Sequence, residues 1–190
     1  MRIIGGRSRG LHLTPVGVGD AGARLRPTSD RVRESIFNLL INGGYGDPVS
    51  GARVLDLFAG PGALGLEALS RGAAEAAFVE DGAVALGLLR KNIGLMRVED
   101  CTEVIRRDAV RLGPVRGAGF DLVFLDPPYG RGLGEAALAA ALAGGWLAEG
   151  AMIVWEEGAP PVVPGGVERL DQRKYGDTVV TLLRVGRSEV

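Results

Sequence analysis

The chain has one cysteine and one histidine, and each scarcity removes a class of function. Cys101 has no intrachain partner, so no disulfide staples the fold and the chain reads as cytoplasmic. Cys101 and His12 are too few ligands for a Cys/His zinc site, and no metal is expected. The shortage also disposes of Gly6-Arg7-Ser8-Arg9-Gly10, which fits the G-x-S-x-G elbow of hydrolases. That elbow needs a long strand before it, a helix after it and a histidine far downstream, whereas His12 lies two residues past the motif. No stretch approaches the roughly 20 uncharged apolar residues of a membrane span, and "MRIIGGRSRG" lacks the apolar run of a signal peptide. No G-K-[ST] is present, so nucleotide hydrolysis is unsupported.

Lysine is scarce as well: Lys91 and Lys174 are the only two. The net charge of −1 gives no overall pull toward nucleic acid, but its distribution is uneven. Residues 1–40 hold seven arginines (Arg2, Arg7, Arg9, Arg24, Arg26, Arg31, Arg33) against three acids, a net of +4, which leaves −5 for the rest. This reads either as a basic arm for backbone phosphates on a mildly acidic body, or as arginine serving as the default cation.

What is abundant describes a globular domain. At 190 residues, with 46% hydrophobic and 24% charged residues, the chain suits one unit burying roughly 70% of its surface. Residues 1–27 alternate short apolar runs with glycine breaks, predicting a small hairpin arm; residues 28–190 form the main domain. "RPTSDRVRESIFNLLIN" predicts a helix, with Thr28 and Ser29 as start signals and Val32, Ile36, Leu39 and Leu40 as its buried stripe. Strands then alternate with helices: "ARVLDLFAG", "AEAAFVE", "TEVIRRD", "FDLVFLD" and "AMIVWEE", then two strands around Gly176-Asp177. The pattern predicts an α/β fold with a mainly parallel seven-stranded sheet, helices on both faces and an antiparallel C-terminal hairpin. Ligands in such sheets bind beyond the carboxyl ends of the strands, where Gly60, Glu80, Asp108 and Asp126 fall.

Gly60-x-Gly62-x-x-Gly65 matches the dinucleotide fingerprint, and Glu80 ends the next strand 20 residues after Gly60. Glycines admit a ligand close to the backbone, and Glu80 can accept from both hydroxyls of a ribose. Asp56 is unhelpful beside a pyrophosphate but suits a ligand bearing an ammonium and a sulfonium. Asp108 reads equally as a partner for an adenine amino group or as a cap for the following turn. Asp126-Pro127-Pro128-Tyr129 closes the fourth strand. An aromatic amine is a poor nucleophile because its lone pair is delocalised. Two acceptors, the Asp126 carboxylate and the Pro127 carbonyl, would favour a tetrahedral nitrogen, and Tyr129 could stack on the base. Taken alone, D-P-P-Y is also an ordinary strand-ending turn.

With the glycine loop, Glu80, Asp108 and D-P-P-Y together, the chain resembles class I S-adenosylmethionine-dependent methyltransferases with a Rossmann-like fold. It is closer still to the RsmD family, bacterial enzymes that methylate a guanine N2 of 16S ribosomal RNA. "RIIGGRSRGLHL", "RPTSDRVRESIFNLL", "LDLFAGPGALGLEALSRGA", "FVE", "FLDPPYG" and "KYGDT" carry the resemblance along nearly the whole chain. It implies S-adenosylmethionine as donor and S-adenosylhomocysteine as product, with Asp56, Phe58, Gly60, Gly62, Gly65, Glu80, Asp108 and Asp126 around the cofactor. It implies Asp126, Pro127, Pro128 and Tyr129 as the catalytic loop. Arg7, Arg9, Arg24, Arg26, Arg31 and Arg33 would contact 16S rRNA of the small ribosomal subunit. The implied enzyme is a monomer with no membrane partner. Pro61 departs from the family, standing where serine or threonine is common. D-P-P-Y is shared with DNA adenine-N6 methyltransferases, the nearest rival; a nicotinamide oxidoreductase rests on the glycine pattern alone, and a non-catalytic RNA-binding module is a third.

Overall fold

In the computed structural model, which describes residues 1–14 and 28–187, the expected alternation of apolar strands and helices forms one twisted sheet. Among the described residues, four helices, α1 (Asp30–Asn42), α2 (Ala63–Ser70), α3 (Ala83–Met96) and α4 (Leu133–Ala143), accompany seven strands. These are β1 (Arg53–Leu57), β2 (Glu75–Glu80), β3 (Thr102–Arg106), β4 (Phe120–Leu125), β5 (Leu147–Glu157), β6 (Val167–Tyr175) and β7 (Thr178–Val185). The sheet order is β3-β2-β1-β4-β5-β7-β6. The first five strands pair in parallel and β7 pairs antiparallel with both β5 and β6. This is the Rossmann-like arrangement with a terminal hairpin. No described helix is long and apolar enough to cross a membrane.

Strand residues alternate between two apolar layers, as the period of two requires. Val54, Phe78, Phe124 and Val154 face a layer with Ile36, Phe37 and Leu40 of α1, Leu66 of α2 and Leu89 of α3. Leu55, Val79, Leu125 and Trp155 face the other, with Ala137, Leu138 and Ala141 of α4. Burying one large apolar side chain contributes about 1.5–3 kcal/mol, and the central strands are buried on both faces.

The start of α1 lies at the expected place, with the Ser29 hydroxyl accepting from the Val32 N–H. Its buried face differs from the expected stripe. Arg33, Ile36, Phe37 and Leu40 are inside, whereas Val32 and Leu39 are only half-buried. The face is rotated because Arg33 reaches inward to the N-terminal hairpin. That hairpin is minimal, with a bridge between Arg2 and His12 and the Gly10 N–H donating to the Ile3 carbonyl. Ile3 and Leu13 are buried in the α1 side of the core.

The hairpin is stapled to α2 by polar contacts. The Glu67 carboxylate, fully buried, accepts from the Ile4 and Gly5 N–H groups at 2.9 and 2.8 Å and pairs with Arg71 at 2.7 Å. The Arg33 guanidinium donates to the Arg2 carbonyl and to Asp30, and lies 3.6 Å from Glu67. Gly6 has φ +75°, and a Cβ there would sit 1.8 Å from the Ser70 carbonyl oxygen. The expected Gly5-Gly6 break is therefore a close backbone approach as well as a turn.

Candidate active site

The sheet order reverses at β1, which has β2 on one side and β4 on the other, and a cleft of about 670 Å³ opens beyond their carboxyl ends. That volume lies within the usual range for a cofactor site. Phe58 and Gly60 turn the chain at the end of β1 with φ +60° and +55°. For Phe58 this conformation costs on the order of 1–3 kcal/mol, strain of a kind that clusters at ligand sites. The Gly60 N–H donates to Glu80 Oε2 at 2.8 Å, and Glu80 Oε1 accepts from Asp81 and Gly82 at 3.0 and 2.8 Å. Three backbone donors thus fix the Glu80 carboxylate on the cleft wall. Asp56, buried on β1, accepts from the Gly65 N–H at 2.9 Å. Burial pushes its carboxyl well above the usual range, reinforced by the nearby Asp126 and Glu80.

Asp126 follows β4 and lies beside this wall. Burial raises its carboxyl to about 7, partly offset by the Thr28 hydroxyl and reinforced by Glu157. Glu156, at the end of β5 and 1% exposed, is raised well above the ordinary range by burial and then by Asp126. Glu157 points to the opposite face, where its Oε1 accepts from Gly130 at 2.8 Å and Gly158 at 3.0 Å, anchoring the chain after Tyr129. Tyr129 is half-buried, its hydroxyl 3.2 Å from Thr178 Oγ1 on β7, and burial pushes its phenol to about 12. The ring is therefore neutral at physiological pH and suited to stacking. Four acids (Asp56, Glu80, Asp81, Asp126) line the cleft, with Arg131 at its mouth the single cation among the described lining residues. Such a wall repels a pyrophosphate and attracts a cationic ligand.

The chain as a whole is similar to known proteins. The family model "Conserved hypothetical protein 95" matches residues 1–184. "Ribosomal RNA small subunit methyltransferase D" of Escherichia coli strain K12 is 42% identical over 168 residues, 86% of this chain and 79% of that protein. The protein of the same description from Haemophilus influenzae Rd is 35% identical over 181 residues, covering 93% and 89%. The solved structure of yhhF from Escherichia coli superposes with a TM-score of 0.82 at 36% identity over 98% of both chains. The chain belongs to the RsmD family of methyltransferases.

The fold collects most of the RsmD-like motif residues in one cleft and leaves several outside it. Asp56, Phe58, Gly60, Glu80, Asp126, Pro127, Pro128 and Tyr129 all line it. Gly62 and Gly65 do not; a Cβ on Gly62 would lie 2.5 Å from Leu89, and one on Gly65 would lie 2.4 Å from Phe78. They let α2 approach α3 and the sheet, and the Gly65 N–H holds Asp56. Asp108 also lies outside the lining and caps the short turn Ala109–Arg111, accepting from the Val110 N–H at 3.0 Å. The cap engages only Oδ1 of Asp108. Pro61 keeps its carbonyl as an acceptor for buried Asn92 at 2.9 Å.

Among the arginines, Arg7, Arg9 and Arg31 are exposed. Arg33 corrects the expectation of an RNA contact: its side chain is 0% exposed and directed into the hairpin junction. Arg24 and Arg26 lie outside the described residues. Thr28, read only as a helix start, lines the cleft, and so do Val84 and Arg131. Val84, 47% exposed beside Glu80, is an apolar residue left open to a ligand.

Proposed function

We propose that this methyltransferase moves a methyl group from S-adenosylmethionine to the exocyclic N2 of a guanine in 16S rRNA of the small ribosomal subunit. The observation that carries the reading is the abutment of Asp126 and Pro127 on an acidic adenosine-sized cleft whose glycine turn is tied to Glu80. S-adenosylmethionine, when bound, supplies a methyl carbon on a cationic sulfur; the nitrogen lone pair forms the new N–C bond and the C–S pair stays on a then-neutral sulfur.

The chain's own residues bind and orient. Glu80 keeps free lone pairs for ribose hydroxyls while the backbone donors hold it. Asp56 and Asp126 present carboxyl oxygens as acceptors to the cationic parts, and Val84 offers an apolar contact to the adenine. The Asp126 carboxylate and the Pro127 carbonyl accept from the guanine amine and turn its lone pair toward the methyl carbon. After transfer the nitrogen sheds one proton, for which the Asp126 carboxylate is the nearest base. Tyr129 stacks on the base, which must be splayed out of any helix to reach it. Residues 1–27 serve as the RNA arm, with Arg7 and Arg9 in the turn of its described hairpin.

The acceptor is tested by offering labelled cofactor to unmethylated small subunits, free 16S rRNA and duplex DNA in parallel. Label in ribosomal RNA supports the reading; label in DNA alone moves the protein to the adenine-N6 class. Glu80→Ala is expected to weaken S-adenosylhomocysteine binding by about 10–100-fold, the worth of one or two charge-assisted hydrogen bonds. Calorimetry reads it, and an unchanged Kd would remove Glu80 from the site. The double charge reversal Arg7→Glu/Arg9→Glu is expected to weaken rRNA binding by roughly 10-fold or more at low salt, with a shallower salt dependence and unchanged cofactor affinity. Equal loss of both affinities in a folded protein would count against a separate RNA role for the arm.

A further inference from the structure

Thr28 stands just before α1 and 98 residues from Asp126, yet its hydroxyl joins two acids, half-buried Asp126 and fully buried Glu156. Thr28 Oγ1 lies 3.2 Å from Asp126 Oδ2, and 3.0 and 3.2 Å from Glu156 Oε1 and Oε2. A hydroxyl has one hydrogen and donates to one of these oxygens at a time. Thr28 is also the only hydrogen-bond partner of Glu156 among the described residues. Two ionised carboxylates sharing one donor at this depth would leave one charge unsatisfied, which costs several kcal/mol. One proton placed on Glu156 resolves the count. The neutral acid donates to the Thr28 oxygen, and the Thr28 hydrogen is free for Asp126.

We infer that Thr28 and Glu156 are positioning residues for the proposed methyl transfer: Glu156, held as the neutral acid, donates to Thr28, and Thr28 donates to Asp126 Oδ2, leaving Oδ1 for the acceptor amine. Asp126 Oδ1 has no donor among the described residues, which agrees with that division. The charged groups around the pair act consistently. Asp56 on β1 and Asp126 on β4 oppose ionisation of Glu156, with Arg33 on α1 the countering cation. Glu157 on β5 adds its charge against Asp126. The donor from Thr28 favours ionised Asp126, so Asp126 becomes the acceptor carboxylate while Glu156 keeps the proton.

The inference rests on the reading of Asp126 as the amine acceptor, and two measurements separate the fates of the two claims. In steady-state kinetics on whichever nucleic acid the unmodified enzyme methylates, Thr28→Val is expected to lower kcat about 10-fold or more. Its kcat–pH midpoint should move upward, because the donor favouring ionised Asp126 is gone, and Thr28→Ser should restore both. Glu156→Leu should behave like Thr28→Val. Glu156→Gln, whose amide still donates to Thr28, should recover most of the rate. The second measurement needs no substrate. Infrared difference spectra of the whole protein at about pH 8, roughly one unit above the Asp126 value, should lose a buried carboxylic-acid carbonyl band in Glu156→Gln and keep it in Asp126→Asn. A Thr28→Val enzyme with unaltered kcat and pH profile, or a band lost in Asp126→Asn instead, would overturn the inference. If the enzyme methylated no RNA while the infrared result held, the proposed acceptor would fail and the proton assignment would stand.

Discussion

Asp126→Asn is expected to cost about 10²–10³-fold in kcat, and at the same time to make the protein more stable at pH 8. The loss of rate is the usual size for removing one preorganised acceptor or donor aimed at a reacting group. An amide presents one oxygen and two hydrogens where the carboxylate presents two acceptors, and it carries no charge to favour the methylated nitrogen. The stability change follows from linkage. The folded-state value is about 7, raised by burial, against roughly 3.9 for an unfolded aspartate. Between those limits the folded state holds the proton more tightly, so stability falls as pH rises from about 4 through about 7. Above 7 the whole penalty is present, up to about 4 kcal/mol at 1.36 kcal/mol per unit. The variant should therefore gain in denaturant midpoint at pH 8 and gain little at about pH 4. The same value sets the activity profile, with kcat/KM rising with pH through a midpoint near 7 as Asp126 ionises. Equal stabilisation at both pH values would mean that Asp126 is not held neutral by burial.

The second large effect lies away from the cleft. Arg33→Ala should destabilise the fold by about 3–5 kcal/mol, the range for breaking a buried ion pair by deleting one partner. The deletion leaves the Arg2 carbonyl without its donor, Glu67 with less compensating charge and a void beside Ile36 and Phe37. Arg33→Lys should recover only part of this, because a single ammonium cannot reach the Arg2 carbonyl, Asp30 and Glu67 together as the guanidinium does. Chemical denaturation reads both variants. Unaltered midpoints would mean that the Arg33 contacts contribute nothing to stability. If Arg33 acted through RNA instead, its loss would weaken rRNA binding with no change in stability.

These two residues mark what was legible in the sequence. The sheet could be read because β1, β2, β4 and β5 each carry a short apolar run closed by glycine or an acid, and such a carboxyl end is recognisable from one segment at a time. Gly60, Glu80 and Asp126 could be placed at the cleft on that basis, since each lies at the carboxyl end of its own strand. The contact between Thr28 and Glu156 could not, because it joins residues 128 positions apart. Glu156-Glu157 does read as an acidic end to an apolar strand, the same signal that marked Asp126. Arg33 was misplaced because arginine at the start of a polar-looking helix normally faces water, and only the hairpin covering that turn buries it. Gly62 and Gly65 matched a ligand-binding pattern, but their spacing equally serves a helix pressed against Phe78 and Leu89.

The most direct test of the central claim is nucleoside analysis of 16S rRNA after incubation of unmethylated small subunits with the enzyme and labelled S-adenosylmethionine. N2-methylguanosine should carry the label, and Asp126→Asn should reduce its yield by the same 10²–10³-fold. Label in any other nucleoside, or an Asp126→Asn enzyme that produces N2-methylguanosine at the unmodified rate, would contradict it.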